Sequence, residues 1–123
     1  MISFARTFAL LYIASFLTAC GPEPIKDEVR LAALVEAAST MFSEAGPLPV
    51  VLATHSYPEA IASLDPRSVR IEEAGVYVSM RRVHVRECGY FIPVGSREPI
   101  TGGGSDPTLT LLAPNIYWYE IEG

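Results

Sequence analysis

Apolar residues at Leu31, Leu34, Val35, Ala38, Met41, Phe42 and Ala45 fall on the i, i+3, i+4, i+7 steps of one helical face. Arg30, Glu36, Ser39, Thr40, Ser43 and Glu44 occupy the remainder of the turn. Asp27 and Glu28 suit the positive N-terminal end of a helix, and Gly46-Pro47 is a stop signal. The pattern predicts a helix over 26–45. Leu48 to Thr54 is a short apolar run of strand length. Ser56-x-x-Glu59 with Pro58 has the form of a capping box, predicting a two-turn helix from Tyr57 to Leu64 that ends at Asp65-Pro66.

From Val69 the period changes to two. Val76, Val78 and Met80 share one parity while Val83 and Val85 take the other, so a β-bulge around Arg81-Arg82 is expected to keep one continuous core face. Glycines in Glu73-Ala74-Gly75 and Glu87-Cys88-Gly89 predict hairpin connections between strands Val69–Glu72, Val76–Arg86 and Tyr90–Val94. A loop from Gly95 to Pro107 containing Gly102-Gly103-Gly104 precedes two further strands, Thr108–Ala113 and Ile116–Ile121, joined by Pro114-Asn115. The expected fold is α+β: one long N-terminal helix and one short helix packed on an antiparallel sheet of about five strands.

Ahead of this lies a different pattern. Arg6 is followed by an uncharged apolar run from Thr7 to Leu17, too short to span a bilayer, which takes about 20 residues as a helix. A short run of this kind behind a basic residue reads as a signal peptide. It ends in Leu17-Thr18-Ala19-Cys20, and Gly21-Pro22-Glu23-Pro24 then cuts the apolar pattern. This run resembles the lipobox of bacterial lipoproteins. The resemblance covers residues 1 to 20 and implies cleavage before Cys20, diacylglycerol on its thiol and an acyl chain on the new amine. Two or more chains give stable attachment where one is marginal. Gly21 in place of aspartate implies, by the same resemblance, outer-membrane sorting in an organism with two membranes.

The division that follows is 1–19 as a removed signal peptide, 20–26 as the lipidated cysteine and a proline-rich tether, and 27–123 as a single small domain. Four to six residues of tether reach roughly 15 to 20 Å, so the domain works close to its membrane.

Composition narrows the function further. The chain has 123 residues, half of them apolar and 19% charged, which fits one globular domain and excludes a disordered tail. Loss of residues 1–19 removes Arg6 and no acidic residue, leaving 8 basic against 14 acidic side chains, a net of −6. That balance argues against nucleic acid, whose phosphates need a basic surface. The basic residues are uneven: Arg67, Arg70, Arg81, Arg82 and Arg86 lie within 20 positions. Arginine forks suit carboxylate or phosphate, so they offer either pairing with Glu72, Glu73 and Glu87 or a docking face for an acidic partner or headgroup.

Tyr117-Trp118-Tyr119 places two rings on one face of the last strand and one on the other. One side is core, and the other is a candidate aromatic contact surface.

Candidate chemistry is thin. Once Cys20 carries lipid, Cys88 is the remaining cysteine, and His84 stands four residues away, about 13 Å along a straight strand. His55 and His84, the two histidines, have no chelating spacing with each other or with Cys88, so no metal and no cofactor is expected. Gly102-Gly103-Gly104-Ser105 lacks the strand, helix and lysine of a phosphate loop. The reading is a lipid-anchored envelope protein whose exported domain binds another protein near the membrane, or serves in an envelope complex, without catalysis. The candidate binding residues are Arg81, Arg82, Arg86, Tyr117, Trp118 and Tyr119. The alternative is a small envelope hydrolase using Cys88 or a carboxylate pair.

Overall fold

The computed structural model describes residues 23–94 and 107–122. The expected signal peptide, Cys20 and the expected Gly95–Pro107 loop, apart from Pro107 itself, lie outside the described residues.

Helix α1 spans Glu28–Glu44. It starts two residues later than the apolar period predicts because Asp27 is its cap: the carboxylate accepts a 3.0 Å hydrogen bond from the Val29 N–H. It ends where Ala45 turns extended ahead of Gly46-Pro47. Leu31, Leu34, Ala38 and Met41 are buried, and Val35, Phe42 and Ala45 pack beside them, which is the face the spacing selects.

Strand β1, Val50–Val51, follows the cis Leu48–Pro49 peptide. A 3₁₀ turn at Thr54–Ser56 then leads to α2, a single turn over Glu59–Ala62. The expected capping box does not form. Ser56 is taken up in the 3₁₀ turn, its N–H donating to the Ala53 carbonyl at 2.9 Å, and Pro58 stands at the cap position with no side-chain bond. The helix is accordingly one turn, not two.

The remaining strands are β2 (Ser68–Glu72), β3 (Gly75–Val83), β4 (Arg86–Pro93), β5 (Thr108–Ala113) and β6 (Ile116–Ile121). They form one antiparallel sheet in the order β1-β2-β3-β4-β6-β5. The sheet therefore has six strands rather than five, since Val50 and Val51 pair with Ile71 and Arg70. β5 is reached by skipping one strand position and returns through the predicted Pro114-Asn115 turn, with Asn115 at φ 65.

The second hairpin turns elsewhere than expected. The glycine of Glu87-Cys88-Gly89 marked the connection in the sequence, but the chain reverses at His84-Val85 and residues 87–89 lie inside β4. His84 supplies the left-handed residue, φ 56, a conformation in which histidine is enriched among non-glycines. Gly89 is needed for another reason. The β3 ladder shifts register between Ser79 and Arg81, one residue before the expected bulge. The bulged backbone crosses the space above position 89, so a Cβ there would collide with the Val78 carbonyl. Gly75, at φ 152, is pressed in the same way against the Ile92 carbonyl.

The bulge does not carry the core face onward. Val83 and Val85 are 45% and 60% exposed, and residues 81–86 form the exposed end of the β3–β4 hairpin.

Val69, Ile71, Val76, Val78, Cys88, Tyr90, Ile92, Ile116 and Trp118 share the sheet face that meets Leu31, Leu34, Ala38, Met41 and Ile61 from the helices. Tyr90 also binds the chain entry, accepting a 2.9 Å hydrogen bond at its hydroxyl from the Ile25 N–H.

Candidate functional site

The opposite face of the sheet is not bare. Register aligns Arg70 with Tyr77, Tyr77 with Phe91, and Phe91 with Tyr117; one step along, Ser79, Gly89 and Tyr119 stand in a row. From this row the Tyr119 side chain reaches Glu87 and Tyr77. Tyr119 meets Tyr77 edge-on at 5.2 Å, and Tyr77 packs on Phe91 at 4.6 Å between ring centroids. Above Tyr77 lies the Arg70 guanidinium, 4.6 Å from the ring centre.

Glu87 is the hub of this face. It is 7% exposed and accepts three side-chain hydrogen bonds: from Arg67 Nη2 at 3.2 Å on Oε1, and from Arg70 Nη1 at 2.9 Å and the Tyr119 hydroxyl at 2.6 Å on Oε2. Arg67 also donates through Nε to Ser79 Oγ at 3.3 Å, and Arg70 approaches Glu72 at 3.9 Å. Charge-assisted bonds of this kind are short and strong, and together they use both oxygens of the buried carboxylate.

The protonation states follow from these contacts. Burial pushes the Glu87 carboxyl up, but the hydrogen bonds from Tyr119 and Arg70 and the charges of Arg70 and Arg67 outweigh it and hold it below the usual carboxylate range. Burial raises the Tyr119 phenol far above its ordinary value, and its bond to anionic Glu87 raises it further. Burial also lifts Tyr77, with the Glu72 charge adding to it. The carboxylate is therefore fixed as an acceptor and the phenol as a donor around neutral pH. Such a network sets geometry rather than moving protons. It pins Arg70 over Tyr77 and leaves the Arg67 side chain 41% exposed with donors to spare.

The sequence-predicted residues divide. Arg81, Arg82 and Arg86 are exposed on the arms of the β3–β4 hairpin; Arg86 reaches Glu122 at 3.5 Å, and Arg82 Nε donates to the His84 carbonyl at 3.2 Å. Trp118 is 8% exposed on the helix side, edge-on to Tyr90 at 5.1 Å, with its indole N–H on Glu120 at 3.3 Å. Tyr119 is fully buried in the Glu87 cluster. Both faces at these two positions are thus interior, and of the aromatic trio Tyr117 is the one that is only half-buried. It lies beside Leu111, its cross-strand partner, which is 61% exposed.

Cys88 is fully buried on the helix side of β4, whereas His84 sits at the exposed tip and His55 in the exposed 3₁₀ turn. Among the described residues, no group of three or more His, Cys, Asp or Glu is placed to hold a metal ion. Pairing of Arg67 and Arg70 with Glu87 was one reading of the arginine cluster. That Glu87 gathers both, together with Tyr119, depends on the reversal at His84-Val85, which puts Glu87 within a strand and on the face of Gly89 and Phe91.

No family model matches the chain, and no curated protein or solved structure matches it.

Proposed function

We propose that the chain is a lipid-anchored protein of the cell envelope, attached through Cys20 and sorted to the outer membrane where there are two, whose domain binds a partner protein close to the membrane. The anchor rests on Leu17-Thr18-Ala19-Cys20 at the end of a run too short to span.

The observation that carries the binding reading is the sheet face opposite the helices. Tyr77 and Tyr117 keep part of their surface there and Leu111 is 61% exposed, beside guanidiniums whose positions are set from beneath by Glu87. Rigid aromatic and arginine groups lose little conformational entropy when a partner covers them, which is why they dominate protein interfaces. Ile25 packs on the other side of the sheet, so this face is turned from the point where the tether enters.

Photocrosslinking from Leu111 in the membrane-anchored protein tests the reading. A discrete adduct from position 111, absent from the more exposed helix position Val29, supports it, since Val29 is 78% exposed on the far layer. Identical adduct patterns from both positions contradict it.

A further inference from the structure

The six residues from Arg81 to Arg86 are all exposed, and they combine two chemistries. Val83 and Val85 form an apolar tip, 45% and 60% exposed, flanked by three arginines. Glu87 is committed to Arg67, Arg70 and Tyr119, and Glu122 meets Arg86 through a contact of 3.5 Å between two exposed side chains. Without these three arginines the mature chain has 5 basic against 14 acidic side chains, a net of −9, so the rest of the domain is repelled by a negative surface while this tip is attracted.

The tether enters partway along the sheet, at Tyr90, within reach of the tip. Ile25, bound to the Tyr90 hydroxyl, lies in a groove with Ser63 and Leu64. Those residues lead into β2, whose first residue, Ser68, pairs with Ser79 at the bulge where β3 leaves the core for the tip. Five residue steps separate Tyr90 from Val85, roughly 17 Å along the strand. Five steps also separate Ile25 from Cys20, with a reach of roughly 17 Å. The lipid on Cys20 and the hairpin tip can therefore meet one membrane plane together.

We propose that the β3–β4 hairpin tip is a second membrane contact, in which Arg81, Arg82 and Arg86 bind anionic phospholipid headgroups of the bilayer holding the Cys20 lipid, while Val83 and Val85 enter the interface between them. The inference rests on the anchor reading, because the tether supplies the local concentration that makes a small contact persist. Guanidinium forks fit headgroup phosphate, and each arginine near a negative membrane surface strengthens binding by a factor of about five. The result is an orientation: with the tip down, the domain stands on two points instead of swinging on one.

The test uses the full-length membrane form carrying Val85→Cys labelled with an environment-sensitive fluorophore; the Cys88 thiol is buried, and that of Cys20 is consumed by lipid in the anchored protein. The protein is reconstituted into phosphatidylcholine vesicles, with or without phosphatidylglycerol, and acrylamide quenching is measured after flotation. Protection is expected in the mixed vesicles alone, with its loss in high salt, where the screening length falls to about 3 Å. Arg81→Gln with Arg82→Gln should lower the ratio of docked to undocked tip about 25-fold, two factors of about five. A label at His84→Cys, which leaves both valines in place, should respond alike. Protein that floats with equal quenching in both vesicle types overturns the tip contact and leaves the anchor standing, and this is also the outcome if the arginines serve an acidic protein. Protein that does not float overturns the anchor and the inference built on it.

Discussion

The Tyr119 hydroxyl donates a 2.6 Å hydrogen bond to Oε2 of Glu87, joining positions 32 apart in the chain on the sheet face that the helices do not cover. The same oxygen holds Arg70, so the phenol and the guanidinium fix each other. Removing the hydroxyl as Tyr119→Phe should cost about 1.5 to 3 kcal/mol, the range for a hydrogen bond to a charged group. Urea titration measures it. An unchanged midpoint would mean that the two arginines alone satisfy Glu87.

Acid should loosen the same cluster. The folded-state pKa of Glu87 is lowered, so its contribution to stability is fully present above the unfolded-state value and is lost as pH falls through the folded value. Glu87→Gln should therefore weaken the acid dependence of the unfolding midpoint and cost about 1 to 3 kcal/mol at neutral pH, less than a fully buried pair because Arg67 and Arg70 retain some solvent. Chemical denaturation from neutral pH down through the carboxylate range reads both effects, and parallel curves for the two proteins would contradict them.

Leu34 is 1% exposed on the packed face of α1 and Arg30 is exposed. Leu34→Ala should destabilise by about 2 to 5 kcal/mol, while Arg30→Ala should change little. Equal, small effects in denaturant titrations would mean that α1 packs through another face.

Cys88 is buried in the core, away from the exposed tip that carries His84. Cys88→Ala should fold with a loss of about 1 kcal/mol from the missing sulfur and should complement a deletion strain. Lost complementation with stability retained would favour the hydrolase reading.

The helix and most strand positions could be read from the chain because their signals are local. Six apolar residues from Leu31 to Phe42 fall on one face of α1, and period-two alternation marks β2 and the first part of β3. The hairpin at His84-Val85 carries no glycine, and its left-handed residue is a histidine, so the glycine at 89 drew the expected turn three residues onward. That glycine answers a steric demand from β3, across the ladder, which no local pattern reports. The same shift hid the hub, since a glutamate expected in a turn is solvated, whereas one between strand neighbours must find partners. Ser56 and Glu59 had the spacing of a cap, yet tertiary placement turned the chain through a 3₁₀ segment instead. Trp118 and Tyr119 carry no sign in the sequence that both faces of the sheet are interior at their positions.

The most direct measurement of the central claim is the intact mass of the protein extracted from its native envelope. An anchored binding module begins at Cys20 and carries the added mass of a diacylglycerol and an amide-linked acyl chain, while Cys20→Ser accumulates as an unprocessed precursor. A mature chain that begins at another residue and bears no acyl mass contradicts the account.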